Sequence, residues 1–296
     1  MSPKVSIGLP VYNGEVFIAE AIQSVLNQTF TDLELIICDN GSTDNTETIC
    51  RQFAAADSRI RYIRSPQNNG AAWSYNRSAE AARGQYFRWL AHDDKFDPRL
   101  IEKSVAILDE RPDVVSCISW FADIDDQGEL LEIRRSTVRF DAALPNERFK
   151  SMSELRGSYG CEEIFGLIRS DVLGRTKLIE KYADSDRTLI AQLGLFGPFY
   201  EISEPLFLHR VHARSSVEVY PSRQARAGWF DPSREGKLVF PHWRQFRELL
   251  NAINGSPIPI REKLRCYRHM LSWTLKGRRR LRYDINWAIR QLVREN

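Results

Sequence analysis

No two cysteines in this chain are spaced as C-x-x-C. Cys38, Cys50, Cys117, Cys161 and Cys266 are scattered and odd in number, which argues against a disulfide framework or a structural zinc site and fits a reducing compartment. A strong charge of one sign is missing as well. The 42 Lys and Arg stand against 39 Asp and Glu, so the chain as a whole is not a polyanion binder, and no nucleic-acid motif accompanies its positive charges. No stretch reaches the roughly 20 apolar residues that span a bilayer. The opening MSPKVSIGLPVYNG meets Pro10 and Asn13 before a signal-peptide core could form, so a cytoplasmic location is expected. Phosphate loops are absent too: neither G-x-x-x-x-G-K-[ST] nor a G-x-G-x-x-G behind the first strand occurs.

Strand and helix patterns alternate through the first 125 residues. VSIGLPVY, LELIICDN, IRYIRS, QYFRWLAH and DVVSCISWFADI read as strands. Between them Phe17, Ile18, Ala21, Ile22, Val25 and Leu26 recur at helical spacing. A second helix follows Ser42 or Asp44 as N-cap, a third runs from Ala71 to Arg83, and Asp97 with Pro98 at N1 should open a fourth, Arg99 to Glu110. This order predicts an α/β fold with a mostly parallel, Rossmann-like sheet flanked by helices. From Gln127 to Gly160 the pattern weakens. EEIFGLIR and PLFLHRVH then read as strands, Asp184 to Gly194 as a helix, and the Ser-, Arg- and Gly-rich stretch after His212 as a mobile loop. The remainder is helical and basic. Three units are expected: residues 1–125 and 126–215 as halves of one domain, and 216–296 as loop and helical C-terminal extension.

In such sheets ligands bind at the carboxyl ends of the strands, and three polar clusters end strands here: Tyr12 and Asn13, Asp39 and Asn40, and His92, Asp93 and Asp94. The adjacent carboxylates of the last cluster are costly. At about 5 Å and an effective dielectric of 20 they repel by roughly 3 kcal/mol. A divalent cation would offset that repulsion and would also neutralise a diphosphate in the absence of a phosphate loop. Neighbours on an extended chain point to opposite sides, so the pair cannot flank a glycosidic bond as a hydrolase's acids must.

The run VSIGLPVYNGEVFIAEAIQSVLNQTFTDLELIICDNGSTDNT, continued by NNGAAWSYNRSAEAARGQYFRWLAHDD, resembles the opening of the family 2 glycosyltransferases closely for about a hundred residues, and more loosely to about Ser216. The resemblance implies the GT-A fold and an inverting transferase using a nucleotide-diphosphate sugar, UDP-linked by preference, with Mn²⁺ or Mg²⁺. By position, Pro10 and Tyr12 would line the base pocket, and Asp39 would hydrogen-bond the base beside Asn40, where many members carry a second aspartate. Asp93 would face the ribose or sugar, Asp94 would ligate the metal, and Asn76 would support their loop. HRVH resembles the family's R-x-H element, which would bring Arg210 and His212 to the diphosphate or metal. The general base of such an enzyme opens a helix in an E-D pair; Asp186 of Ser185-Asp186 stands there, with Glu162 and Glu163 as rivals. Asp184 or Asp186 could equally be a helix cap.

The acceptor expected from the resemblance is a carbohydrate or a lipid-linked sugar of a surface polysaccharide or glycolipid. The basic last helices allow two readings: a solvated face, or contact with an anionic inner-membrane surface through Trp273, Leu275, Trp287 and Ile289. Two rivals remain. A sugar nucleotidyltransferase would need a glycine-rich basic loop where YNGEVFIAEA stands, and a degenerate sugar-nucleotide-binding scaffold is kept open by Asn40 and Ser185.

Overall fold

A computed structural model describes residues 2–136, 138–155, 161–220, 222–234 and 237–294. The strands β1 (Val5–Val11) and β2 (Leu33–Asp39) are buried along their whole length, which is why their sequences are continuous apolar runs and not alternating ones. The helix α1 (Ile18–Leu26) buries Ile18, Ala21, Ile22 and Val25, one stripe at helical spacing. In α2 (Thr46–Ala56), Asp44 Oδ1 accepts the N–H of Thr46 at 3.0 Å. Then come β3 (Ile60–Arg64), α3 (Ala71–Glu80), β4 (Tyr86–Trp89), β5 (Lys95–Phe96) and α4 (Leu100–Glu110). Asp97 caps α4 from further out than expected, its Oδ1 taking the N–H of Arg99 and its carbonyl that of Leu100. Pro98 is not at N1, because its carbonyl is drawn to the N–H of Thr29.

The second half contains β6 (Ser116–Ile124), β7 (Leu130–Arg134), α5 (Pro145–Ser153), β8 (Leu167–Arg169), α6 (Ser170–Leu173), α7 (Ser185–Phe196) and β9 (Phe199–Arg210). One nine-stranded sheet runs β3-β2-β1-β4-β8-β6-β9-β5, with β7 on β6. Its first four strands are parallel, whereas β8 is antiparallel to both β4 and β6. The chain order reverses between β2 and β4 on either side of β1, which makes the carboxyl end of β1 the switch point of the sheet.

Two expectations are corrected. EEIFGLIR is not one strand: Glu162–Phe165 form a 3-10 turn and only Leu167–Arg169 pair. An added Cβ on Gly166 would meet Ser116 Oγ at 2.4 Å, so the chain crosses against β6 there in a way only glycine allows. The stretch after His212 is not a loop throughout, since α8 (Ser216–Val219) and α9 (Arg223–Phe230) lie in it.

The extension, α10 (Pro241–Gly255) and α11 (Ile260–Arg294), is welded to this body. Leu249, Ala252, Ile253, Cys266 and Met270 share one core with Leu189, Ile190 and Leu193 of α7. Buried Asp284 ties the two helices together by accepting the N–H of His242 at 2.9 Å and pairing with its Nδ1 at 2.7 Å. No helix among the described residues is long and apolar enough to cross a membrane.

Candidate active site

The tips of the parallel strands are laced to each other by their backbones. Asn40 donates its N–H to Val11, Ser65 to Asp39, and Leu90 to Gly8, at 2.8, 2.8 and 2.9 Å. Asn13 turns the chain away from β1 with φ 54°, and its Oδ1 accepts the N–H of Thr43 at 2.8 Å. A Cβ on Gly14 would sit 2.6 Å from both His92 and Val11, so the loops after β1 and β4 close on each other only over a glycine. Above these tips lies a cavity of about 260 Å³ whose walls include Pro10, Tyr12, Asn40, Asp93 and His212. The Tyr12 ring is 42% exposed and presents a face to whatever enters.

Asp39 is not on that wall. It is fully buried one layer below, its oxygens taken by the N–H of Ser42 at 2.8 Å, the Tyr62 hydroxyl at 2.5 Å and the Arg64 guanidinium at 3.4 Å. Asn40, itself buried, takes the place on the cavity wall, held by Asn68 and by the backbones of Asn69 and Gly70.

A second cavity of about 250 Å³ adjoins the first, and Tyr75, Ala91, Asp93, Ser216 and Trp229 line both. Asp94, Glu162, Asp186 and His209 line the second alone. The carboxylates Asp93 and Asp94 thus stand at the junction and beyond it. Burial works against ionising Asp93, yet His92 beside it and the 3.0 Å hydrogen bond with His212 Nε2 hold its carboxyl well below the usual range. For Asp94 burial wins: with Asp93 adjacent, its carboxyl is pushed up. Among the described residues its hydrogen-bond donor is the N–H of Arg210 at 2.9 Å.

Arg210 therefore does a different job from the one expected. Its side chain is wholly buried over the Phe17 ring, and the guanidinium is spent on Glu20 at 2.9 Å and on the carbonyls of Asp93, Asp125 and Asp126. It braces the acidic loop from behind. Asn76 is also displaced from the expected role: both ends of its amide clasp the peptide of Ile179, at 2.8 and 2.9 Å. It fixes the approach to α7, not the acidic loop.

Of the three base candidates, Asp186 and Glu162 reach the second cavity and Glu163 does not. Glu163 is buried, hydrogen-bonded to Ser136 at 2.9 Å, and its carboxyl is raised by burial. Asp186 opens α7, its Oδ1 taking the N–H of Arg187 at 2.8 Å; burial, then the neighbouring Asp184, pushes it up to about 6. Glu162 lies 3.4 Å from Arg134, which in turn grips Asp123 through two 2.6 Å hydrogen bonds. Asp123 pairs with His209 at 3.1 Å and, against the pull of burial, raises it to about 9. His209 is thus a cation on the second cavity's wall. Sequence reasoning passed over it, and over Tyr75, Arg226 and Trp229, which line this cavity as well. Trp229 and Arg226 sit on α9, in the stretch read as a loop; the Trp-Phe pair there was the available sign of a buried face.

The sequence profile of glycosyl transferase family 2 matches residues 6–182. The chain belongs to that family. An uncharacterized glycosyltransferase of Rickettsia typhi is 31% identical over 231 residues, 73% of this chain and 64% of the relative, so the chain spans less than two thirds of that relative's length. Among solved structures, Staphylococcus aureus TarS 1–349 in complex with UDP-GlcNAc aligns with a TM-score of 0.67 at 16% identity, over 93% of this chain and 74% of that one. The mannosyltransferase PcManGT of Pyrobaculum calidifontis, in complex with GDP-Man and Mn²⁺, aligns with a TM-score of 0.54 at 15% identity, over 100% and 89% of the two chains. These likenesses establish the GT-A fold for this member of family 2.

Whether the residues of this family 2 member fit a divalent ion can be tested on its own donors. Among the described residues no group of three His, Cys, Asp or Glu is gathered as for an all-protein site. Asp94 lines the second cavity and His212 the first, so the two expected ligands meet only through Asp93. Yet buried His212 Nδ1 finds no hydrogen-bond partner among the described residues, and Asp94, where burial with the adjacent Asp93 and Glu162 carboxylates is set against the His209 cation, stays pushed up. Such a donor set suits an ion that takes one or two carboxylates and completes its shell with substrate phosphates.

Proposed function

We propose that this chain transfers a sugar from a nucleotide-diphosphate donor, UDP-linked by preference, to an acceptor hydroxyl with inversion at the anomeric carbon. The observation that carries the reading is the shared wall: Asp93 belongs to both cavities, one open to Tyr12 and the other holding Asp186. The first cavity suits the nucleotide, its base against the Tyr12 ring and beside Asn40. The diphosphate then lies toward Asp93 and Asp94, and the sugar reaches past Tyr75 into the second cavity. Asp93 and Asp94, with His212 adjacent, would hold Mn²⁺ or Mg²⁺, which when bound supplies positive charge for the leaving diphosphate.

Asp186 takes the proton of the acceptor hydroxyl as that oxygen bonds to the anomeric carbon, while the bond from carbon to diphosphate oxygen breaks on the opposite side. A carboxyl raised to about 6 is well matched to this task near neutral pH. Glu162, within reach of Arg134, shapes the acceptor side. His209 places positive charge near the same centre. Titration of UDP, GDP and UDP-GlcNAc with and without MnCl₂ tests the donor assignment: UDP ligands should bind with manganese enhancement, and GDP binding in their place would overturn it.

The same reading covers the acceptor and its setting: a carbohydrate or lipid-linked sugar of surface polysaccharide or glycolipid assembly, met at the inner face of the membrane. It is supported by α11, which carries two apolar faces. Cys266, Met270, Leu281 and Ala288 dock inward, whereas Ile260, Leu264, Leu271 and Leu275 are 60–69% exposed among Lys276, Arg278 and Arg279. Basic helices with an open apolar face lie on anionic bilayers. Trp273 and Trp287, expected on that face, are half-buried, and Trp273 stacks on Phe246.

A further inference from the structure

A third cavity is larger than either of the two above. It measures about 880 Å³ and lies between the loop before α7, the end of α9 and the start of α10. Its relation to the second cavity is a thin partition. Ile179 lines both; Asp184 faces one and Ala183 the other; Phe230 faces one and Asp231 the other. The Asn76 clasp on the Ile179 peptide keeps this partition in place.

The chemistry of its walls is specific. Lys177, Lys181, Arg234, Arg244 and Arg247 line it against only Glu180 and Asp231. Glu248, just behind, is the common partner of Lys177, Arg244 and Arg247, each within 2.8–3.1 Å. Glu180 also pairs with Arg244 at 3.1 Å and Asp231 with Arg234 at 3.7 Å, so five cations stand against three carboxylates and positive charge remains in excess; Glu248 is held down to about 2 by its neighbours despite its burial. Between the cations stand the rings of Tyr182, Phe240, Trp243 and Phe246, flat apolar faces of the kind that pack against the C–H faces of sugar rings. Guanidinium groups match carboxylate or phosphate oxygens in pairs. The size is within the usual range for a ligand site and exceeds what a single sugar fills.

We infer that this cavity is a subsite for an anionic oligosaccharide, the already built part of the acceptor, whose free end passes the Ile179 partition to reach Asp186. The inference rests on the transferase reading for its purpose, but its binding test does not. Isothermal titration of the whole chain with tetragalacturonate should give binding that weakens as salt rises. Neutral cellotetraose should bind at least tenfold more weakly. The charge reversals Lys181→Glu and Arg247→Glu together should weaken tetragalacturonate at least tenfold and leave UDP binding unchanged. Arg234→Glu, on a different element, should act in the same direction, so that misfolding of one variant leaves the other to decide. Absence of tetragalacturonate binding, equal affinity for cellotetraose, or indifference to both variants would overturn the inference. So would binding of farnesyl diphosphate in place of tetragalacturonate, which would make the ligand a lipid phosphate. If UDP fails to bind while tetragalacturonate does so as described, the donor assignment falls and this subsite stands; the reverse result removes only the subsite.

Discussion

The two cavities that share Asp93 are built in opposite ways. One side of the first is walled by residues that follow parallel strands, so that Tyr12, Asn40 and Asp93 inherit their positions from backbone pairing between β1, β2 and β4, while Tyr75, His212 and Trp229 close the other side. The second collects Asp94, Glu162, Asp186, His209 and Trp229 from five separate segments, and depends on side-chain ties such as Arg134 to Asp123 and His209. A backbone ladder tolerates change in its side chains; an assembly of charged side chains does not. Affinity for the donor should therefore be robust and graded, and turnover fragile.

The sharpest break of that contrast is Asp186→Asn. Loss of the base should lower turnover about a thousandfold, with UDP affinity unchanged, as read by product formation beside calorimetry. An unchanged rate would move the base to Glu162. Arg210→Ala should come next, acting on stability and not on chemistry. It removes a donor from three backbone carbonyls and one of the two cations, the other being Lys95, from half-exposed Glu20, a loss of about 1–3 kcal/mol, visible as a fall in melting temperature of several degrees. Tyr12→Ala should weaken UDP by about tenfold, the size of a lost base–aromatic stack, with turnover at saturating donor little altered.

The smallest effect is in pH. With Asp186 required unprotonated and its carboxyl raised to about 6, turnover should climb about tenfold per unit below that pH and level above it. The sign for stability is opposite. A carboxyl raised in the folded state favours folding fully below its unfolded value near 4 and withdraws that support as pH rises through 6. Asp186→Asn should flatten both profiles.

The basic face of α11 offers a comparison of another kind. Leu271→Glu with Leu275→Glu should abolish co-sedimentation with phosphatidylserine vesicles while leaving the melting temperature in place, since both side chains point away from the core. Retained vesicle binding would return this face to plain solvation.

Much of the first cavity was legible in the residues because its cause is local. An apolar run ending in Tyr-Asn, Asp-Asn or His-Asp-Asp is a parallel strand with its polar tip, and the βαβ order brings those tips to one edge. Even there, which of two neighbours faces the ligand was not legible. Asp39 turned under and Asn40 toward the cavity because neighbouring residues of an extended chain face opposite sides, and the donors of Ser42, Tyr62 and Arg64 wait beneath. The second half was harder. Glu162–Phe165 has the composition of a strand but turns, because Gly166 must cross close against β6. The segment after His212 has the composition of a loop, yet it forms helices where Trp229 and Phe230 find a wall to pack on.

By itself the sequence determined the alternating order of strands and helices, the polar clusters at the strand ends and the family, since each follows from periodicity or from motifs fixed along the chain. Only the tertiary structure decided that Arg210 is a brace, that Asn76 clasps a distant loop, that Glu162 and not Glu163 meets Asp186, and that a basic, aromatic cavity stands behind them. Those outcomes depend on which side chains from remote segments reach each other first with complementary charge, and no spacing along one chain records that.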